Sequence, residues 1–136
     1  AACRVAILAP AGLKVVQTDQ FDPPPRPRVK LTEYHLTAAT NTPAKTAAFV
    51  TAVRPWKKGG GPAGEDTLEK TDNGFVLRSG LAGGSAVVLL RTADKGRIAG
   101  GGLEGEADLV AVLRDEDGKT VARLAVDGAS VETGGE

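Results

Sequence analysis

Turn residues cut this chain into short pieces, and no piece has the length or period of a helix. Gly, Pro, Asn and Asp bracket runs of apolar and β-branched residues: Arg4-Val5-Ala6-Ile7-Leu8, Gly74-Phe75-Val76-Leu77-Arg78 and Ser85-Ala86-Val87-Val88-Leu89-Leu90. Ala107 to Leu113 is another, joined through Asp115-Glu116-Asp117-Gly118-Lys119 to Thr120 to Val126. Strands this evenly spaced, with turn chemistry between them, predict an all-β antiparallel sandwich of about ten strands. At 136 residues the chain is expected to form a single domain, 1–136, able to bury a core without staples. Aromatics are only 4% of it, so Val, Leu, Ile and Ala must fill that core.

Along the chain, Arg4 to Leu8 and Leu13 to Thr18 are expected to pair through the turn Ala9-Pro10-Ala11-Gly12. Asp22-Pro23-Pro24-Pro25-Arg26-Pro27-Arg28 reads as an extended polyproline-like connector. A strand over Val29 to Thr40 places Tyr34, Leu36 and Ala38 on one face, with Tyr34 in the core, and Glu33, His35 and Thr37 on the other. Lys45 to Arg54 is apolar on both sides, which predicts a central strand covered on two faces with Phe49 in the core. The Gly-rich segments Trp56 to Gly64 and Ala99 to Gly105 read as flexible loops. Asp72-Asn73-Gly74 and Gly80 to Gly84 read as hairpin turns.

Seventeen basic residues balance seventeen acidic ones, so no net field recommends nucleic acid as a partner. No run is long enough for a helix to span a bilayer. The single cysteine, Cys3, rules out an intrachain disulfide. There is no Met, and the chain reads as a mature product or a piece of something longer. Catalytic equipment is sparse. Gly100-Gly101-Gly102-Leu103-Glu104-Gly105 satisfies G-x-G-x-x-G, but the residues after it read as strand, whereas a dinucleotide site requires a helix there. His35 is the only histidine; it is either a structural or solvent-facing residue or a base oriented by Glu33. No Ser/His/Asp or Cys/His set can be assembled, and no cofactor or metal is expected. The surface candidate is Arg54-Pro55-Trp56-Lys57-Lys58. In it Trp56 offers a face for a sugar ring, and Arg54, Lys57 and Lys58 offer cations for carboxylates or sulfates. The alternative is a Trp plugging one end of the fold beneath solvated lysines.

Between residues 12 and 58 the text becomes more specific. Gly12-Leu13-Lys14-Val15, Thr18-Asp19-Gln20-Phe21-Asp22-Pro23-Pro24-Pro25, Glu33-Tyr34-His35-Leu36-Thr37-Ala38, Pro43-Ala44-Lys45-Thr46-Ala47-Ala48-Phe49-Val50-Thr51 and Arg54-Pro55 follow in order. With the ending Asp117-Gly118-Lys119 through Val126-Asp127-Gly128, they resemble the carboxy-terminal β-rich region of heparinase II/III-like polysaccharide lyases. The resemblance implies a module that follows an α/α toroid in an enzyme cleaving acidic polysaccharides by β-elimination. It implies an extracytoplasmic (periplasmic or secreted) setting, with the rest of a parent lyase and acidic polysaccharide as partners. Tyr34 and His35 are residue types such chemistry uses, but no catalytic residue of that family is carried onto a matching position. The expected function is therefore a non-catalytic module that supports the catalytic part or contacts acidic glycan. A free-standing carbohydrate-binding module and an assembly domain pairing with another chain are the alternatives. A shallow Trp-and-basic platform would favour the first of these, and an apolar patch on an outer sheet face the second.

Overall fold

The computed structural model describes residues 2–20, 24, 26, 34–57, 59–61, 64–128 and 131–133. Among them there is no helix, and every strand pairing is antiparallel. The protein is all-β, with twelve strands among the described residues where about ten were expected.

The body is a five-stranded sheet. Its strands are β5 (Asp66–Thr71), β6 (Gly74–Leu81), β7 (Gly84–Arg91), β10 (Leu109–Arg114) and β11 (Thr120–Val126), in the order β11-β10-β7-β6-β5. Neighbours in sequence pair through tight turns at Asp72-Asn73 and Ala82-Gly83, as the turn chemistry predicts. Asp115 organises the β10–β11 turn: its Oδ1 accepts from the Asp117 and Lys119 amides at 3.1 and 2.8 Å.

Alternation gives this sheet two apolar faces. Register places Val76 beside Leu89, Leu89 beside Val110, and Val87 beside Val112 on one of them. A hairpin of β8 (Ile98–Gly100) and β9 (Leu103–Gly105) lies on that face, and β12 (Val131–Thr133) pairs with β9. Ile98 and Leu103 complete the main core with Val76, Val87, Leu89, Ala107, Val110 and Val112. The expected flexible loop from Ala99 to Gly105 is thus mostly strand. The Gly101-Gly102 turn lets the hairpin lie close to the sheet: Gly101 has φ 63°, and a Cβ there would stand 2.7 Å from Val87 Cγ1.

The first half of the chain differs more from expectation. β1 (Ala2–Leu8) does not pair with β2 (Leu13–Thr18). Instead β1 pairs with β4 (Val50–Trp56), and β2 pairs with β3 (His35–Thr40). Residues 9–12 run on rather than turning back, and the Asn41 amide donates to the Gly12 carbonyl at 3.1 Å across the joint. The two ribbons therefore form one long antiparallel arm, 2–18 against 35–56. At its joint only residues 9–12 on one strand oppose residues 41–49 on the other. The surplus on that longer side cannot stay in register. Residues 45–49 consequently lie outside β4, and Phe49 is 45% exposed. The expected central strand over Lys45 to Arg54 is a shorter strand of a two-stranded ribbon, with a single covered face.

Tyr34 is 69% exposed, not a core residue. β3 begins at His35; the expected strand from Val29 and most of the Pro23–Arg28 connector lie outside the described residues.

Candidate functional site

The base of the arm, β1–β4, presents Arg4, Ala6, Leu8, Val50, Ala52, Arg54 and Trp56 on one face, all half-buried. This is the face that meets the body. Register places Asp66 of β5 beside Ser79 of β6, on the side of the five-stranded sheet away from the main core. Arg54 reaches across to them. Its Nη2 lies 2.6 Å from Asp66 Oδ2, and its Nη1 donates to the Gly80 carbonyl. Ser79 donates to the other carboxylate oxygen of Asp66 at 2.6 Å. Arg4 Nη1 donates to the Gly64 carbonyl at 3.1 Å, from the position paired with Arg54.

The Arg54 and Asp66 side chains are 14% and 1% exposed, so both charges have been taken out of water. Burying such a pair is costly unless further hydrogen bonds support it: Ser79 serves the carboxylate, and the Gly80 carbonyl, with the Gly64 carbonyl 3.5 Å from Nη2, serves the guanidinium. Two glycines make the approach possible. A Cβ on Gly64 would fall 2.6 Å from Gly80 Cα, and one on Gly80 would fall 2.7 Å from Gly64 Cα. No larger residue fits at either position without moving the backbone.

The expected surface cluster is divided by this geometry. Period-2 alternation puts Arg54 and Trp56 on the inward face and Pro55 on the outward one. Arg54 is engaged with the body. Trp56 is half-buried and shares a shallow groove of about 200 Å3 with Val53, Pro55, Gly61, Leu81 and Ala82. Lys57 is exposed just beyond the strand end, and Lys58 lies outside the described residues. Asp66 and Ser79, which hold Arg54, escaped sequence reasoning because only tertiary register brings them to it.

Two further concavities lie elsewhere among the described residues. One of about 300 Å3 lies beside the β5–β6 turn, where Asn73 Nδ2 donates to the Arg97 carbonyl at 2.8 Å and Arg97 pairs with Glu104 at 2.9 Å. A larger one, about 670 Å3, opens between the arm joint and the sheet, over Phe75 with Lys70, Thr46 and Thr92 at its walls. His35 is exposed on the distal ribbon, opposite Thr18. Cys3 is a free, exposed thiol on the outward face of β1. Among the described residues no group of three or more His, Cys, Asp or Glu side chains could hold a metal ion, and no helix is long and apolar enough to cross a membrane.

Compared with protein-family models, curated proteins and solved structures, the chain matches none.

Proposed function

We propose that this chain is a non-catalytic β-module of a larger, extracytoplasmic polysaccharide-processing protein of the heparinase II/III-like kind, and that it works by packing against the remainder of that protein. The lyase kinship rests on the ordered string of matches between residues 12 and 58. The packing role rests on the distal half of the arm. Along β2–β3, register aligns Leu13, Val15, Gln17, Leu36, Ala38 and Thr40 on one, mostly apolar face and Lys14, Val16, Thr18, His35, Thr37 and Ala39 on the other. Val15 and Leu36 are 54% and 52% exposed. An isolated two-stranded ribbon is marginally stable in water, so an apolar face of this kind favours a covering surface.

A second reading has one observation in its favour. Trp56 lies in a groove at the foot of the arm with Lys57 at the strand end, and an acidic sugar could lie there. Arg54, engaged with Asp66 and Gly80, would be a structural neighbour of Trp56 and not a ligand contact. Any cationic contact would then fall to Lys57 and Lys58.

Incubating the chain with uronate-containing polysaccharides and following the absorbance of unsaturated product tests the non-catalytic reading. No rise is expected. A rise that disappears in His35→Ala would overturn it. Titration of acidic oligosaccharides against the wild type and Trp56→Ala decides the second reading, which equal affinity in both would remove.

A further inference from the structure

The five-stranded sheet ends in two edges of unlike character. At one end, β5 carries Asp66, Glu69 and Lys70 within six residues and lies next to the arm base. Charges and a covering element are the usual protection of an edge strand. At the other end, β11 is Thr120-Val121-Ala122-Arg123-Leu124-Ala125-Val126: seven residues, one charge, no Pro and no Gly, bulged at Val121 and regular from Ala122 to Val126. Among the described residues nothing pairs with its outer edge, because after β11 the chain crosses over and β12 joins β9 in the other sheet.

The sheet face beside this edge is also uncovered. The side away from the main core grades from Phe75 and Leu77, buried near the arm, to Leu113, Leu124 and Val126, which are 37%, 53% and 41% exposed. Apolar surface and unsatisfied ladder groups therefore meet on one strand.

We propose that the outer edge of β11 pairs with the same edge of a second copy of this chain, antiparallel about a twofold axis, to make a continuous ten-stranded sheet. An edge strand pairs with its own copy isologously, each residue meeting a counterpart, and the apolar stripe of one sheet continues into the other. Charge at the strand ends favours this antiparallel partner. Lys119 precedes β11 and Asp127 follows it, both exposed. Antiparallel pairing brings each Lys119 toward the partner's Asp127, and the twofold makes the contact twice; parallel pairing would bring like charges together. A register centred on Leu124 keeps the two Arg123 side chains apart by placing each opposite Ala125 of the partner subunit. The regular part of β11, Ala122 to Val126, carries this register, and Lys119 and Asp127 of the partner subunit lie beyond the same end of it. One strand pair buries less than the ~1,200 Å2 typical of lasting interfaces, so the association is weak and concentration-dependent.

Sedimentation velocity over a concentration series tests this. The wild-type mass should climb from 13.9 kDa toward twice that value. Leu124→Lys puts a charge on the outward stripe of an exposed strand and should weaken association by about tenfold or more. Circular dichroism should show the fold intact. Lys119→Glu should also weaken it, and adding Asp127→Lys should restore it, which a merely local disturbance of β11 would not do. A wild type that stays monomeric at every concentration overturns the proposal, which would then leave the edge to a different partner. So does a dimer that forms equally well in Leu124→Lys.

Discussion

Arg54 shows how one residue's role depends on what lies across from it. Beside Trp56 and two lysines it reads as part of a basic surface. In the fold it is the bolt that fastens the arm to the body, because Asp66 and Ser79 sit where its guanidinium arrives. Asp66→Ala would leave that guanidinium largely buried without its carboxylate, and removing one member of a buried pair costs about 3–5 kcal/mol. Ser79→Ala removes one hydrogen bond to the same carboxylate and should cost about 1 kcal/mol, up to about 3 if the carboxylate oxygen is left unsatisfied. Urea midpoints measured at constant m-value would give both numbers. A loss under about 1 kcal/mol for Asp66→Ala would mean that the arm is not held by this pair.

At the scale of elements, legibility in the sequence followed contact distance. The turns at Asp72-Asn73, Ala82-Gly83 and Asp115 to Lys119 carry their instructions locally, and the hairpins β5–β6, β6–β7 and β10–β11 are where the turn residues put them. Alternation likewise revealed the faces of β3. What could not be read was which strands pair when the partner is far along the chain. β1 and β2, four residues apart, look like a hairpin, yet each finds its partner across the arm. The apolar run around Phe49 misled for a related reason: hydrophobicity on both sides of a segment resembles a central strand, but here it lies at a joint whose two sides differ in length. Trp56 stands half-buried at the foot of the arm, and the split of its neighbours between two faces depended on where β4 began. The elements also differ in expected persistence. Among the described residues β2 and β3 pair only with each other, whereas β6 and β7 are paired on both sides. Amides of β2–β3 should therefore exchange with deuterium well before those of β6 and β7. Equal protection in the isolated chain would show that the ribbon is stable without a covering surface, against the proposed packing role.

For the molecule as a whole, the arm is fastened to the body at the Arg54–Asp66 pair, beside the Arg4 contact to the Gly64 carbonyl. The only tryptophan, Trp56, sits at that fastening, so its fluorescence reports undocking while far-UV circular dichroism is dominated by the strands of the body. In a urea titration the fluorescence change should come at lower denaturant than the ellipticity change, and Asp66→Ala should widen the gap. Coincident curves in both proteins would mean that arm and body unfold as one unit. The arm base also precedes, in the chain, the sheet on which it rests. During synthesis, at roughly 5–20 residues per second, β1 to β4 leave the ribosome on the order of seconds before β6 and β7 can form the surface that receives them. Val5 and Val53 then share the exposed state with the inward face, so the nascent chain passes through an interval in which both sides of its first ribbon are open to other chains. The long return from β1 to β4 thereby makes this protein's yield sensitive to the speed of translation and to the holding chaperones available at that moment.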